Sequence, residues 1–255
     1  MKVIILAGGL GTRLTEETSV KPKPMVEIGG FPILWHIMKI YSFYGFNEFV
    51  IALGYKGDII KKYFLDYSEM LSNLTIDYKN NKITKHNNIS EDWVVHLVST
   101  GSDTMTGGRI KQAMEFIGKE RVMLTYGDGL SNINIKDLLS FHEAHKKLAT
   151  LTAVRPSARF GELSFKDNLI SKFEEKPQAG EGWINGGFFV LEPEIINYIT
   201  DNKEAFERGP LEKLSKDGEL GGFKHNNFWH AMDVIRDKII LQNLWDQNKA
   251  PWKVW

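Results

Sequence analysis

Apolar positions in this chain come in two kinds of run that alternate. Short continuous runs mark strands covered on both faces, and longer runs with helical spacing mark helices. Val3–Leu6 is the first short run, and Gly8, Gly9 and Gly11 follow it at once. Ile33 to Tyr44 carries apolar residues over about three turns and stops at Gly45, so it predicts a buried helix. Glu48–Leu53 predicts a strand closed by Gly54, with Asp58 capping a helix from Ile59 to about Tyr67. Leu74–Tyr78 reads as a short strand. Residues 79–92 are polar and rich in Asn and Lys, either a hairpin or a mobile insertion. Trp93–Ser99 and Val122–Tyr126 predict strands around a helix at Ile110–Ile117. Ile135–Lys147 predicts a helix with Leu138, Leu139 and Phe141 on its core face, and Ala149–Val154 predicts a strand. This alternation predicts βαβ units, an α/β class and a mixed, mostly parallel sheet flanked by helices.

The second half is less regular. A β-rich stretch opens at Arg159–Leu163 and continues to Phe173. Asn185-Gly186-Gly187 precedes a strand at Phe188–Leu191. Glu192–Ile199 and Lys203–Lys216 read as helices, the second broken near Gly209-Pro210, and a last helix runs from about Val234 to Gln247. The tail from Ala250 to Trp255 is aromatic and is expected to dock on its own domain or on a neighbouring subunit. No repeat or linker divides the 255 residues, so a single domain is expected.

Composition narrows the function. Hydrophobic residues make up 42% of the chain, enough for a large core. Lys plus Arg and Asp plus Glu are both 32, and this balance gives no electrostatic footprint for nucleic acid or an anionic membrane. The absence of cysteine excludes disulfides, Cys-ligated zinc and thiol catalysis. No run approaches the ~20 apolar residues that span a bilayer, and the first residues do not resemble a signal peptide. A soluble, cytoplasmic protein is expected.

The candidate chemistry lies after the first strand. Glycines let backbone N–H groups approach an anion closely. Arg13 adds a fixed fork of donors suited to phosphate, and Lys23 sits between Pro22 and Pro24, which stiffen the backbone around it. Three glycines alone would equally fit a tight turn. Together with Arg13 and Lys23 they point to a triphosphate site. The dinucleotide fingerprint is excluded because its third glycine is missing, and no G-x-x-x-x-G-K-[ST] run exists. Asp128, between Gly127 and Gly129 at a strand end, suits a Mg²⁺ ligand, although Asp-Gly also favours a plain turn. Arg109 is either a phosphate holder or a surface residue. Asp233 is either a metal ligand or the N-cap of the last helix. His142 and His145 form H-E-A-H, which fails the H-E-x-x-H pattern, and read as solvated or core-edge residues.

L-A-G-G-L-G-T-R-L followed by K-P-K-P-M-V-E-I-G-G resembles the sugar-nucleotide pyrophosphorylases. M-T-G-G-R (Met105–Arg109), T-Y-G-D-G (Thr125–Gly129), F-E-E-K-P (Phe173–Pro177), I-N-G-G-F-F-V (Ile184–Val190) and F-W-H-A-M-D (Phe228–Asp233) resemble their glucose-1-phosphate cytidylyltransferase branch. The resemblance runs from Met1 to Trp255. It implies a Rossmann-like nucleotide-diphosphosugar transferase fold, with the nucleotide part at about 1–130 and sugar-binding and oligomerisation elements at about 131–255. It implies CTP and glucose 1-phosphate as substrates and Mg²⁺ as cofactor, without nucleic acid or membrane partners. Leu6, Ala7, Gly8, Gly9, Leu10, Gly11, Thr12, Arg13, Lys23, Thr104 and Arg109 would bind nucleotide. Glu175, Lys176, Asn185 and Gly186 would hold the sugar phosphate. Arg13, Lys23 and Asp128 would carry the chemistry, with Asp128 and Asp233 on the metal. A homo-oligomer, by resemblance a hexamer, and a role in CDP-deoxysugar and O-antigen synthesis are further implications. The same chemistry with UTP or dTTP, and a non-catalytic sensor, are the rival expectations.

Overall fold

A computed structural model describes residues 1–86, 91–156, 162–166, 169–174 and 182–255. The chain runs through β1 (Val3–Ala7), α1 (Ile33–Phe43), β2 (Glu48–Leu53), α2 (Gly57–Leu71), β3 (Val94–Ser99), α3 (Thr106–Ile117) and β4 (Val122–Tyr126). It continues through β5 (Gly129–Ser131), α4 (Ile135–His145), β6 (Ala149–Val154), β7 (Ile184–Asn185), β8 (Phe189–Leu191), α5 (Pro210–Lys216), β9 (Leu220–His225), β10 (Trp229–Ala231) and α6 (Ile235–Asp246). The main sheet has the order β7-β6-β8-β4-β1-β2-β3, with β9 also paired to β6. β1 pairs in parallel with β2 and β4, β2 with β3, and β6 with β9. β8 runs antiparallel to both β4 and β6, and β7 antiparallel to β6. The sheet is therefore mixed and mainly parallel, and strands from both halves of the chain share it.

Alternation along β1 explains why it is apolar throughout. Val3, Ile5 and Ala7 join α1 and α6 in one buried cluster, while Ile4 and Leu6 join α3 in the other. The fully buried Trp252 anchors the C-terminal tail in the first cluster, stacked on Phe228. Its indole Nε1 donates to Nδ1 of His36 at 3.3 Å. The tail thus docks on its own domain.

Several expectations are corrected. Asp58 does not cap α2. The helix starts at Gly57 after Lys56, which has a left-handed φ of 50°, and Asp58 lies in the first turn. Residues 203–209 are turns and irregular chain, and of residues 203–216 only Pro210–Lys216 is helical, with Pro210 in its first turn. Pro193–Tyr198 is a 3₁₀ turn rather than an α-helix. Asn73–Asp77 pairs with Lys82–His86, so the polar stretch begins as a hairpin. Phe141 is 37% exposed and packs edge-on against Phe223.

His142 is buried rather than solvated. The Lys147 N–H donates to His145 Nδ1, leaving His145 Nε2–H to donate to Thr150 Oγ1 at 2.6 Å. Thr150 can then donate to His142 Nδ1, and His142 Nε2–H to Glu192 at 3.2 Å. This relay needs both rings neutral. Burial pushes both histidines below their usual pKa. Arg159, Phe160, Gly161, Glu175, Lys176 and Pro177 lie outside the described residues.

Candidate active site

A cavity of about 1000 Å³ opens at the carboxyl ends of β1 and β4. In an open α/β sheet, that edge collects ligands. The backbone from Gly8 to Arg13 forms one wall, and Tyr126–Gly129 forms the floor. Gly11 has φ +64°, and a Cβ there would lie 2.7 Å from the Thr18 methyl. The loop therefore needs glycine for both conformation and space.

A line of four alternating charges crosses the cavity. Arg13 Nη1 lies 3.1 Å from Asp233 Oδ2. Lys23 Nζ donates to Asp233 Oδ1 at 2.7 Å and to Asp128 Oδ2 at 2.5 Å. Lys23 starts a 3₁₀ turn after the extended Pro22, with Pro24 buried behind it. Burial pulls the Lys23 ammonium down, but the two carboxylates outweigh it and its pKa is raised. The ammonium is therefore charged at neutral pH.

Strand pairing brings the two aspartates together across 105 positions. β10 pairs antiparallel with β5, Ala231 opposite Gly129, and Met232 N donates to the Asp128 carbonyl at 2.9 Å. Asp233 follows directly. It is not the N-cap of α6, a position that Val234 holds, and the backbone N–H groups of Asp233 and Val234 donate to the Asp237 carboxylate. Asp233 is thereby left to point its carboxylate at Lys23 and Arg13.

Arg109 lines the cavity but is only 4% exposed. Nη1 donates to the carbonyls of Leu53 and Gly101 and to the Thr100 hydroxyl, while Nη2 donates to the carbonyls of Gly8 and Ser102. Arg109 is therefore not a surface residue but a buried latch on the cavity wall that joins the glycine loop to the loop after β3. A Cβ on Gly8 would lie 2.3 Å from this guanidinium. The Thr104 hydroxyl donates to the Thr100 carbonyl at 2.5 Å on the same side. Ala7 is buried in the core cluster and is not among the residues that line the cavity. Leu6, Leu10, Thr12, Asn185 and Gly186 all line the cavity, and Leu10 is exposed. Glu175 and Lys176 lie outside the described residues.

Sequence reasoning missed Trp229, Tyr126, Thr106 and Glu207 as cavity residues. Trp229 Nε1 donates to the Gly186 carbonyl at 2.7 Å, fixing the Asn185-Gly186 corner. Trp229 and Tyr126 stand inside motifs already singled out, beside Asp233 and Asp128. Glu207 carries no such signal, because its segment reads as helix.

A glycine loop at the carboxyl edge of a parallel strand, with cations and paired carboxylates beside it, defines a nucleotide-binding α/β protein built for phosphoryl chemistry. The comparisons sharpen this class. The chain belongs to the nucleotidyl transferase family, whose model, described as Nucleotidyl transferase, matches residues 2–223. It is 50% identical over 256 residues to a glucose-1-phosphate cytidylyltransferase of Salmonella typhimurium, covering 100% of both chains. It is 46% identical over 256 residues to a probable glucose-1-phosphate cytidylyltransferase of Bacillus subtilis, again with 100% of both covered. Among solved structures, HddC from Yersinia pseudotuberculosis complexed with GMP-PN superposes with a TM-score of 0.70 at 26% identity. That match covers 96% of this chain and 99% of the other.

Proposed function

We propose that this protein transfers a cytidylyl group from CTP to α-D-glucose 1-phosphate, giving CDP-glucose and pyrophosphate, with Mg²⁺. The observation that carries this reading is the full-length 50% identity to the Salmonella typhimurium enzyme, together with the intact charge line Arg13–Asp233–Lys23–Asp128. A sensor that only binds sugar nucleotides has no need to keep a reacting centre of this kind.

The sugar phosphate is already an anion near neutral pH, so its oxygen can attack the α-phosphorus of CTP without a strong general base. Catalysis then rests on alignment and on stabilising charge. Backbone N–H groups between Leu6 and Gly11 would cradle the nucleotide, within a loop held by Arg109 through the Gly8 carbonyl. Arg13 is mostly exposed and able to swing onto the departing phosphates. Lys23, released from one or both aspartates when nucleotide enters, would meet charge growing at the α-phosphate. Asn185 and Gly186 would hold the sugar, and Glu175 and Lys176 its phosphate.

The residues present fit Mg²⁺. One oxygen of Asp128 and one of Asp233 converge on a single cationic point, now the Lys23 ammonium, at 2.5 and 2.7 Å. Mg²⁺ is commonly held by one or two carboxylates plus substrate phosphates. Asp128 and Asp233 would hold the ion, which polarises the phosphoryl oxygens when bound. The reading also carries a cytoplasmic, homo-oligomeric enzyme serving CDP-deoxysugar synthesis. No helix among the described residues is long and apolar enough to cross a membrane.

Pyrophosphate release over a matrix of four nucleoside triphosphates and several sugar 1-phosphates tests the reading. CTP with glucose 1-phosphate should give clearly the highest turnover. Equal turnover with UTP would overturn the cytidylyl assignment, and no release with any pair would overturn the activity.

A further inference from the structure

A second polar chain lies along the cavity wall, and of its members the mechanism uses only Asn185. Glu207 is exposed on the rim, in the turn before α5. Its Oε1 accepts from the Tyr126 hydroxyl at 2.7 Å, and its Oε2 from the Thr106 hydroxyl at 2.6 Å. Thr106 in turn accepts from Phe206 N at 2.8 Å, which ties the carboxylate to the first residue of α3. On the other side, the Tyr126 hydroxyl accepts from Asn185 Nδ2 at 3.1 Å, and Asn185 Oδ1 accepts from Gly187 N at 2.9 Å.

Every direction in this chain is forced. Gly187 N only donates, so the Asn185 oxygen must face it and the amide orientation is fixed. An ionised carboxylate only accepts, so Tyr126 must donate to Glu207 and can accept from Asn185. Burial, reinforced by Glu207, pushes the Tyr126 phenol well above its usual pKa, so the phenol keeps its proton. What remains for a ligand is one N–H on Asn185 and an unused lone pair on each Glu207 oxygen. A donor and an acceptor bridged by the single Tyr126 hydroxyl suit a polyhydroxylated ring better than a flat base or a phosphate, which a bare carboxylate repels.

We infer that Glu207 is a specificity-determining residue for the sugar half of the acceptor. It holds the chain in one direction, so that Asn185 donates to one sugar hydroxyl while the carboxylate accepts from another. This rests on the sugar-phosphate reading given above. A site built to bond a hydroxyl discriminates against analogues that lack it, because its own polar groups are then left unpaired.

The experiment is steady-state turnover of the full chain with CTP, Mg²⁺, glucose 1-phosphate and its 2-, 3-, 4- and 6-deoxy analogues. Wild type is compared with Glu207→Gln, Tyr126→Phe and the double variant. In wild type at least one deoxy analogue should lose about 10- to 100-fold in kcat/KM. In Glu207→Gln that loss should shrink to within about threefold, because the bond at stake is already gone. KM for glucose 1-phosphate should rise while KM for CTP stays within about twofold, a split that a general loss of structure would not produce. Tyr126→Phe should reproduce the effect, and the double variant should be no worse than the worse single. Unchanged discrimination in Glu207→Gln, or equal rises in both KM values, would overturn the role of Glu207 while leaving the activity standing. Absence of wild-type turnover with glucose 1-phosphate would overturn the activity, and this role with it.

Discussion

Lys23 is the residue on which the site turns, since one ammonium holds two carboxylates that would otherwise repel. Replacing it with methionine keeps much of the length and removes the charge. Loss of an electrostatic stabiliser should lower kcat by about 10²–10³. The same change frees Asp128 and Asp233 from their present counter-ion. Mg²⁺ should therefore bind nucleotide-free Lys23→Met more tightly than wild type, read by calorimetry. Weaker binding would show that ammonium and metal do not share one position. Asp128→Asn and Asp233→Asn each keep shape and remove one charge. Each should lose most activity and need more Mg²⁺ for what remains. The double variant should be little worse than the worse single, because the pair acts as one unit. Wild-type Mg²⁺ dependence in Asp233→Asn would remove that residue from the metal. The N-cap role would not explain a loss, because Val234 stands at the N-cap and asparagine caps as well as aspartate.

At the scale of elements, α6 and the tail fasten the lysine loop to the body. Gln242 accepts from Gly29 N at 2.9 Å, Lys238 pairs with Glu17, and Trp252 bonds His36 on α1. Trp252→Ala should cost about 3–5 kcal/mol in urea unfolding, as for a large buried aromatic. A cost under ~1 kcal/mol would mean that the tail is not part of the core. His36 is fully buried, and burial lowers its pKa to about 4. Its Nε2 faces the Ile28 carbonyl at 2.8 Å, and its Nδ1 accepts from Trp252, so the folded state needs the neutral ring. The unfolded chain takes up a proton near pH 6.5, so stability should fall as pH drops from about 6.5 toward 4. In His36→Gln that slope should flatten, at some cost in stability at pH 7. An unchanged slope would assign the acid sensitivity elsewhere.

The strands were legible because burial on both faces leaves an unbroken apolar run, as in β1, β2 and β4. Element ends were less legible. The start of α2 depends on a left-handed Lys56, which no spacing marks. Residues 203–209 mimic a helix in composition, yet Phe206 alone of them is buried and the chain turns there. Lys23, Asp128 and Asp233 were legible as chemistry and the resemblance put the two aspartates together, whereas the place of Lys23 between them, and the pairing of β5 with β10 that makes it, were not legible. The burial of Arg109 was not legible, because the carbonyls around it come from the glycine loop, the end of β2 and the loop after β3. A buried cation of that kind leaves no pattern in sequence.

At the scale of the whole molecule, the sheet joins two halves with different duties. Parallel strands β1, β2 and β4 present the glycine loop and Asp128, and the antiparallel β8, β6 and β7 bring Asn185 to the same cavity. The family match ends at residue 223, whereas Asp233 lies beyond it on the segment leading into α6. The C-terminal segment therefore completes a site that the rest of the domain begins. The account stands on one bond being made, between a sugar-phosphate oxygen and the α-phosphorus of CTP. Phosphorus NMR of the full chain with CTP, glucose 1-phosphate and Mg²⁺ follows that bond directly. The account predicts two coupled diphosphate signals of a nucleoside diphosphate sugar, growing in step with pyrophosphate and absent when Mg²⁺ is chelated. Pyrophosphate or phosphate appearing with CMP or CDP alone, or CTP and glucose 1-phosphate persisting unchanged, would contradict it.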